Sequence, residues 1–299
     1  MKTTIIGLGL IGGSIALGLR KAGLATELWG VDMSADNAAK ALELGLVDKI
    51  LPEDQAIAQA DLIVLAIPVN ASNAFLPIVL DYARKDAVII DAGSTKASIC
   101  KVVATHPKRD QFVAAHPIAG TENSGPQAAF VELFKDKTNI ICEASRSSSH
   151  ALKVATKVFD SLGLKTIFME AEEHDKHVAY VSHLSHVSSF LLGQTVLDIE
   201  KDEKNIFNLA GSGFASTVRL AKSSPDMWAP IFEQNAEYLS QALLEYIMHL
   251  QRFHYHLMKH DTKELHRIMS KANEIRRVLD SKADKPTEVK NDILSKTIN

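Results

Sequence analysis

Twelve histidines are scattered along the 299 residues, and one of them, His116, ends a short apolar run, Phe112 to Ala115. A histidine has an ordinary pKa of roughly 6.5, which suits it to take a proton at working pH. His116 is followed by Pro117-Ile118-Ala119-Gly120-Thr121-Glu122, so it opens a loop rather than a helix. A second apolar run stops at Asp91-Ala92-Gly93-Ser94-Thr95-Lys96, where Ser94 can exchange a hydrogen bond with a histidine or a bound amide. Lys96 reads as the start of a solvated helix. Arg219, after Gly211-Ser212-Gly213, has a planar fork that holds a carboxylate in two hydrogen bonds. His174, His177, His183 and His186 lie on one helical stretch, and His183 and His186 share a face at a spacing that can hold a metal. No cysteine or carboxylate completes a ligand set there, so they read as substrate contacts or core polar groups, and no metal is expected. His254, His256 and His260 read as solvated. A base, a hydroxyl donor and a carboxylate clamp together suit the oxidation of a carboxylate-bearing alcohol.

Such an oxidation needs a hydride acceptor, and the first residues supply its binding site. Lys2 to Ile6 is a β-rich run, Gly7-Leu8-Gly9-Leu10-Ile11-Gly12 follows as G-x-G-x-x-G, Ile15 to Leu24 reads as a helix, and a second strand, Glu27 to Val31, ends at Asp32. Gly7 permits the tight turn, Gly9 lets backbone approach a pyrophosphate, and Gly12 lets the helix pack on the strand. The free N–H groups at the helix N-terminus face the phosphates. Asp32, about 20 residues beyond Gly12, can accept hydrogen bonds from a ribose diol and would repel a 2′-phosphate, which favours NAD over NADP. Ile11 belongs to the same turn, and Pro68 closes another strand at the same edge. The Thr4 to Leu19 run is not a secretory signal: glycines interrupt it, Arg20 and Lys21 follow it, and no small-x-small cleavage site appears.

To about residue 168, Val/Ile/Leu runs alternate with helical stretches, the pattern of a parallel sheet with crossover helices. Leu62 to Ile67, Ala87 to Ile90, Asn139 to Cys142 and Lys165 to Phe168 are further strands. Ligands of an open α/β sheet gather at the carboxyl ends of its strands, where Pro68, Asp91 to Ser94 and His116 lie. Beyond Glu170 the periodicity is helical, over Ala171 to Glu200, Glu203 to Lys222, Pro225 to Gln251 and Asp261 to Asp280. Ser224 can cap the third of these, with Pro225 in the first helical position. The expected organisation is an α/β parallel-sheet domain over residues 1–170, an all-α domain over 171–281 and a mobile polar tail over 282–299. The 33 basic and 36 acidic residues nearly cancel, without single-sign blocks, so nucleic acid is not an expected partner. No run reaches the roughly 18 apolar residues of a membrane span. Two cysteines, Cys100 and Cys142, fit neither a disulfide framework nor a zinc site, which points to a reducing, cytoplasmic setting. Long Ala/Leu-rich helices such as Tyr238 to Leu250 suggest a homodimer.

Taken together, the chain resembles the prephenate/arogenate dehydrogenase family of tyrosine biosynthesis over residues 1 to about 280. The resemblance rests on Gly7 through Ser14, Asp91 through Lys96, His116 through Glu122, Ser182-His183-Leu184-Ser185-His186, and Phe214 through Arg219 with Trp228. It implies a Rossmann domain followed by a helical dimerisation domain, and NAD as cofactor. It implies that His116 takes the proton of the substrate's ring hydroxyl, and that Ser94 orients His116 and the nicotinamide. Arg219, His186, Ser182 and Thr121 are implied to surround the carboxylate-bearing parts, with Glu122 near the mouth of the site. Ser185 stands where the family commonly has proline, which removes a kink or restores an N–H. No mutase domain before the glycine motif and no ACT-type domain after the helices is expected.

Two other classes stay open. In a β-hydroxyacid-type dehydrogenase the acid/base is a lysine, here Lys96 or Lys222; a non-catalytic NAD-binding sensor needs no base at all. The residues do not separate prephenate from arogenate, and tyrosine feedback inhibition is expected only from product likeness. If His116 is the base, activity should rise with pH through a value near 6 to 7.

Overall fold

The computed structural model describes residues 1–203 and 205–284. Its first compact unit runs from Met1 to Ala236 and a second begins at Glu237. The first is built on eight strands: β1 (Lys2–Ile6), β2 (Glu27–Val31), β3 (Lys49–Ile50), β4 (Leu62–Leu65), β5 (Val88–Asp91), β6 (Phe112–Pro117), β7 (Thr138–Cys142) and β8 (Lys165–Met169). They hydrogen-bond in the order β3-β2-β1-β4-β5-β6-β7-β8.

Both faces of this sheet are covered, which is why its strands read as continuous apolar runs. Ile5, Val64, Val88, Ile90 and Val113 point to one core with Ile15 and Leu19 of α1 (Leu10–Lys21) and Phe159 of α6 (Ser149–Ser161). Their neighbours Ile6, Ile63, Leu65, Ile89 and Phe112 point to the other, with Leu76 and Leu80 of α4 (Val69–Tyr82). Helices α2 (Ala35–Glu43), α3 (Glu53–Gln59) and α5 (Ala97–Val102) complete the crossovers. Strand order reverses between β1 and β4, which opens a crevice at their carboxyl ends.

One pairing departs from the parallel expectation: β7 runs antiparallel to β6, with His116 opposite Ile140 and Pro117 opposite Asn139. The chain between them forms only short 3₁₀ turns, Pro126–Ala128 and Val131–Phe134. Without a crossover helix the strand returns beside its predecessor in the opposite sense. The two-residue β3 was not foreseen.

Helix α7 (Ala171–Val178) passes through a π turn, Ala179–His183, into α8 (Leu184–Glu200). The helix expected over Glu203 to Lys222 is instead broken into the turns Ile206–Leu209 and Arg219–Lys222 around α9 (Ser212–Thr217). Gly211 and Gly213, poor helix formers, lie at that break. Helix α10 (Pro225–Gln234) starts where expected, with Pro225 first, although Ser224 makes no side-chain cap. The expected run to Gln251 is interrupted at Asn235, beyond which α11 (Ala236–Met258) begins. The second unit continues with α12 (Thr262–Ala272) and α13 (Ile275–Asp284), so the expected stretch to Asp280 is two helices. Most of the expected tail lies outside the described residues. Among the described residues no helix is long and apolar enough to cross a membrane.

Candidate active site

The glycine turn after β1 is fixed by contacts that leave each glycine a separate task. Gly7 has φ +94°, where a side chain is strained, and a Cβ there would lie 2.4 Å from the carbonyl oxygen of Ala66. At Gly12 a Cβ would lie 1.9 Å from the Gly7 oxygen, so α1 can approach β1 only without one. Gly9 precedes the first turn of α1, and a Cβ on it would meet nothing within 4 Å. That open space before a helix N-terminus is where a pyrophosphate fits. Ile11 lies half-buried in the same turn, and Pro68 is exposed at the start of α4. Asp32 stands at the end of β2; its Oδ2 accepts from the Leu8 N–H at 2.8 Å and its Oδ1 from the Ser34 N–H at 2.9 Å. Each oxygen keeps a lone pair for a ribose hydroxyl. The residues therefore fit a dinucleotide.

Gly13 and Ser14, to which sequence reasoning gave no task of their own, tie the loop after β6 to α1. A Cβ on Gly13 would lie 2.8 Å from that of Ala129, and Ser14 Oγ accepts from the Phe130 N–H at 3.0 Å.

The chemistry-bearing groups meet at the carboxyl ends of β5 and β6. His116 Nδ1 lies 2.8 Å from His174 Nε2, and His174 Nδ1 lies 2.7 Å from Asp175 Oδ1. Asp175 is held by the backbone N–H groups of Lys96 and Ala97, at 2.8 and 2.9 Å. Burial, then His174, Lys96 and His183, holds His116 well below the usual histidine value. His174 is lowered by burial against the opposing pull of Asp175. His183, pushed down to about 4 chiefly by burial, has Nδ1 3.1 Å from Asn235 Nδ2, which also donates to the Asp175 carbonyl at 2.7 Å. His186 stacks on Trp228 with centroids 3.5 Å apart, and its Nδ1 lies 3.1 Å from the carbonyl of Ser182 in the π turn.

Other candidates are placed more loosely. Ser94 is half-buried and makes no hydrogen bond among the described residues, so His116 is oriented by His174, a partner sequence reasoning did not pick out. Arg219 is exposed and pairs with Glu122 at 3.2 Å. Glu122 is held below the ordinary carboxylate value by its own backbone N–H and by Arg219. Thr121 Oγ1 accepts from the Asn123 N–H at 3.2 Å.

Lys96 corrects its reading as a solvated residue: it is fully buried and its Nζ is paired with Asp91, itself buried. A lysine so paired is no free base, which removes the strongest support for the lysine-dependent class. Burial pushes the Cys100 thiol up to about 12, so it is no nucleophile. Among the described residues no group of three or more His, Cys, Asp or Glu is arranged to hold a metal.

The family model described as prephenate dehydrogenase, nucleotide-binding domain, matches residues 15–168, and that described as prephenate dehydrogenase, dimerization domain, matches residues 170–271. Prephenate dehydrogenase of Lactococcus lactis is 30% identical, across 93% of this chain and 77% of its own. Cyclohexadienyl dehydrogenase of Zymomonas mobilis is 31% identical, across 83% of this chain and 85% of its own. The crystal structure of A. aeolicus prephenate dehydrogenase with hydroxyphenyl propionate and NAD+ superposes with a TM-score of 0.83 at 28% identity, covering 93% of this chain and 98% of that one. Synechocystis arogenate dehydrogenase gives 0.72 at 27% identity, covering 93% and 100%. With a glycine turn built for a dinucleotide, His116 hydrogen-bonded to the buried His174 at the same end of the sheet and both family models matched in series, the chain belongs to the prephenate dehydrogenase family.

Proposed function

We propose that the protein catalyses the NAD-dependent oxidative decarboxylation of prephenate to 4-hydroxyphenylpyruvate. The observation that carries this is His116, half-buried at the carboxyl end of β6 and held well below the ordinary histidine value, at the same end of the sheet as a glycine turn that fits a dinucleotide. NAD, when bound, supplies the acceptor for the hydride from the substrate's carbinol carbon. His116 accepts the proton of the ring hydroxyl, and the dienone so formed is the electron sink for loss of the quaternary carboxylate as CO2. The phenolate oxygen then recovers the proton, so the histidine ends as it began. Gly7, Gly9, Ile11, Gly12, Asp32, Pro68 and Ser94 form the cofactor side. Arg219 takes a substrate carboxylate with its fork, and Thr121, Ser182 and His186 complete that side.

Residues 1–170 are the cofactor domain and 171–281 the substrate and dimerisation domain of a cytoplasmic homodimer. Exposed Leu191, Leu197 and Ile199 on α8, and exposed Leu244 and Met248 on α11, support dimerisation. Tyrosine, which keeps the product's ring, is the expected feedback inhibitor.

The test is NADH formation with prephenate and arogenate, each against NAD and NADP. Prephenate with NAD should be the best pair. His116→Asn should lower kcat roughly 10²- to 10⁴-fold with NAD affinity unchanged. The acid limb of kcat should fall below the roughly 6 to 7 expected of an unperturbed histidine, because burial lowers His116. Turnover of neither acid, or a fully active Asn variant, defeats the assignment.

A further inference from the structure

We propose that Asp175 and His174 are positioning residues that lock the tautomer of His116, presenting its bare Nε2 to the substrate hydroxyl and taking a share of the charge it acquires. The inference rests on the function proposed above. It follows from counting donors along one chain of hydrogen bonds. Asp175 is buried, and the Lys96 and Ala97 N–H groups already donate to its two oxygens. Its carboxylate can only accept, so His174 Nδ1, 2.7 Å away, must carry the proton. A neutral His174 then has a bare Nε2, and the group facing it at 2.8 Å is His116 Nδ1. That nitrogen must donate. A neutral His116 has no second proton, so its Nε2 is a lone pair.

No group in this chain of hydrogen bonds rotates freely. Asp175 is fixed by backbone, and His174 is fully buried. Its ring crosses that of His116 at 68° with centroids 5.0 Å apart, an edge-on geometry that suits a hydrogen bond in the ring plane. Ser94, by contrast, has a hydroxyl that can donate or accept and so cannot dictate direction.

When Nε2 takes the hydroxyl proton, the Nδ1 proton of His116 can move to His174 Nε2 with no heavy atom displaced. The positive charge then lies on His174 beside the Asp175 carboxylate, and returns by the same route when the phenolate is reprotonated. The surrounding charges favour this sharing. Lys96 bears on His116, and His183 does so only when protonated, well below neutral pH; Asp175, Lys96 and Asp91 bear on His174. Asp91 neutralises Lys96, which leaves Asp175 as the uncompensated charge at the far end of the chain.

The test uses the NAD-bound enzyme labelled with ¹⁵N-histidine, read by long-range proton–nitrogen correlation above pH 7. Both His116 and His174 should carry their proton on Nδ1. A His116 protonated on Nε2 overturns the proposal, whatever the variants do. In kinetics, His174→Phe keeps bulk but removes the acceptor, and kcat should fall about 10²-fold or more with KM and NAD affinity within about threefold. His174→Gln can accept from His116 through Oε1 and donate to Asp175, and should recover most of that loss. A Phe variant with the parental kcat and pH profile overturns the proposal, and so does a Gln variant no better than Phe. If the Phe variant does not fold, the tautomer measurement on the parent enzyme decides. Nδ1 protonation without turnover of either cyclohexadienol would instead defeat the proposed function and leave the hydrogen-bond chain standing.

Discussion

Acidification should unfold this protein through a histidine that never meets solvent. His183 is buried at the π turn, with Nδ1 accepting from Asn235 and its ring edge-on to Trp228 and Phe232. Burial lowers its pKa to about 4 from 6.5, against a raising pull from Asp175 and with small lowering contributions from His174 and His186. In the unfolded chain the imidazole binds a proton near 6.5, so below that pH the unfolded state holds more protons than the native one. Stability is thus intact above about pH 6.5 and falls as pH drops toward 4. For a group shifted from 6.5 to about 4, the loss is about 2 kcal/mol between pH 7 and 5, and about 3 kcal/mol once pH 4 is reached. The assay is urea unfolding at a series of pH values, for the parent and for His183→Asn. Asparagine places an acceptor near the Nδ1 position and never titrates. It should be less stable at pH 7, because ring contacts are lost, yet its stability should decline less steeply, by about 2 kcal/mol over pH 7 to 5. Parallel pH curves for the two proteins would refute the reasoning.

Replacing Asp32 with Asn should narrow the preference for NAD over NADP, which in the parent should exceed tenfold in kcat/KM; equal use of both cofactors by the parent would show that the carboxylate does not face the ribose. Gly9→Ala should change unfolding free energy by less than about 1 kcal/mol and weaken NAD binding tenfold or more, because its Cβ meets open space in the protein. Gly12→Ala should instead destabilise the cofactor-free protein by about 2 kcal/mol or more, read by the urea midpoint, because its Cβ would overlap the Gly7 oxygen. Lys96→Met strands a buried carboxylate and should cost about 3 to 5 kcal/mol; adding Asp91→Asn should recover much of it, and equal stability of both variants would count against the ion pair.

Strands were legible in this sequence because a sheet buried on both faces needs long apolar runs, as Leu62–Leu65 shows throughout and Val88–Asp91 shows up to its terminal acid. The glycine turn was legible for a different reason: backbone clashes at Gly7 and Gly12 admit no other residue, so the spacing is itself the structure. Direction was not. Nothing in the composition of Thr138–Cys142 distinguishes a parallel from an antiparallel neighbour; that depends on the loop of residues 118–137 failing to form a helix. Lys96 was misread because a charged residue at a helix start is solvated unless a partner is buried with it, and Asp91 was assigned to the strand end alone. His174 was named only as one of four histidines on a helical stretch and never linked to His116, since that partner lies 58 positions away on another element.

The π turn at Ala179–His183 sets the phase of everything after it. In a regular helix each residue advances about 100°, so His174 and His183 would stand about 180° apart and His174 and His186 about 120°. A single π turn accommodates one extra residue, setting the downstream helix back by about 100°, which brings the three to within about 80° of arc. Three imidazoles from one continuous segment can then serve His116, Asn235 and Trp228 together. Deleting one residue within the turn would restore ideal helical hydrogen bonding, and with it a locally more regular segment, while rotating His186 away from the indole. The irregularity works as a vernier between two halves of one rod, and an alignment gap of a single residue here would mark a relative whose site is dialled to a different setting.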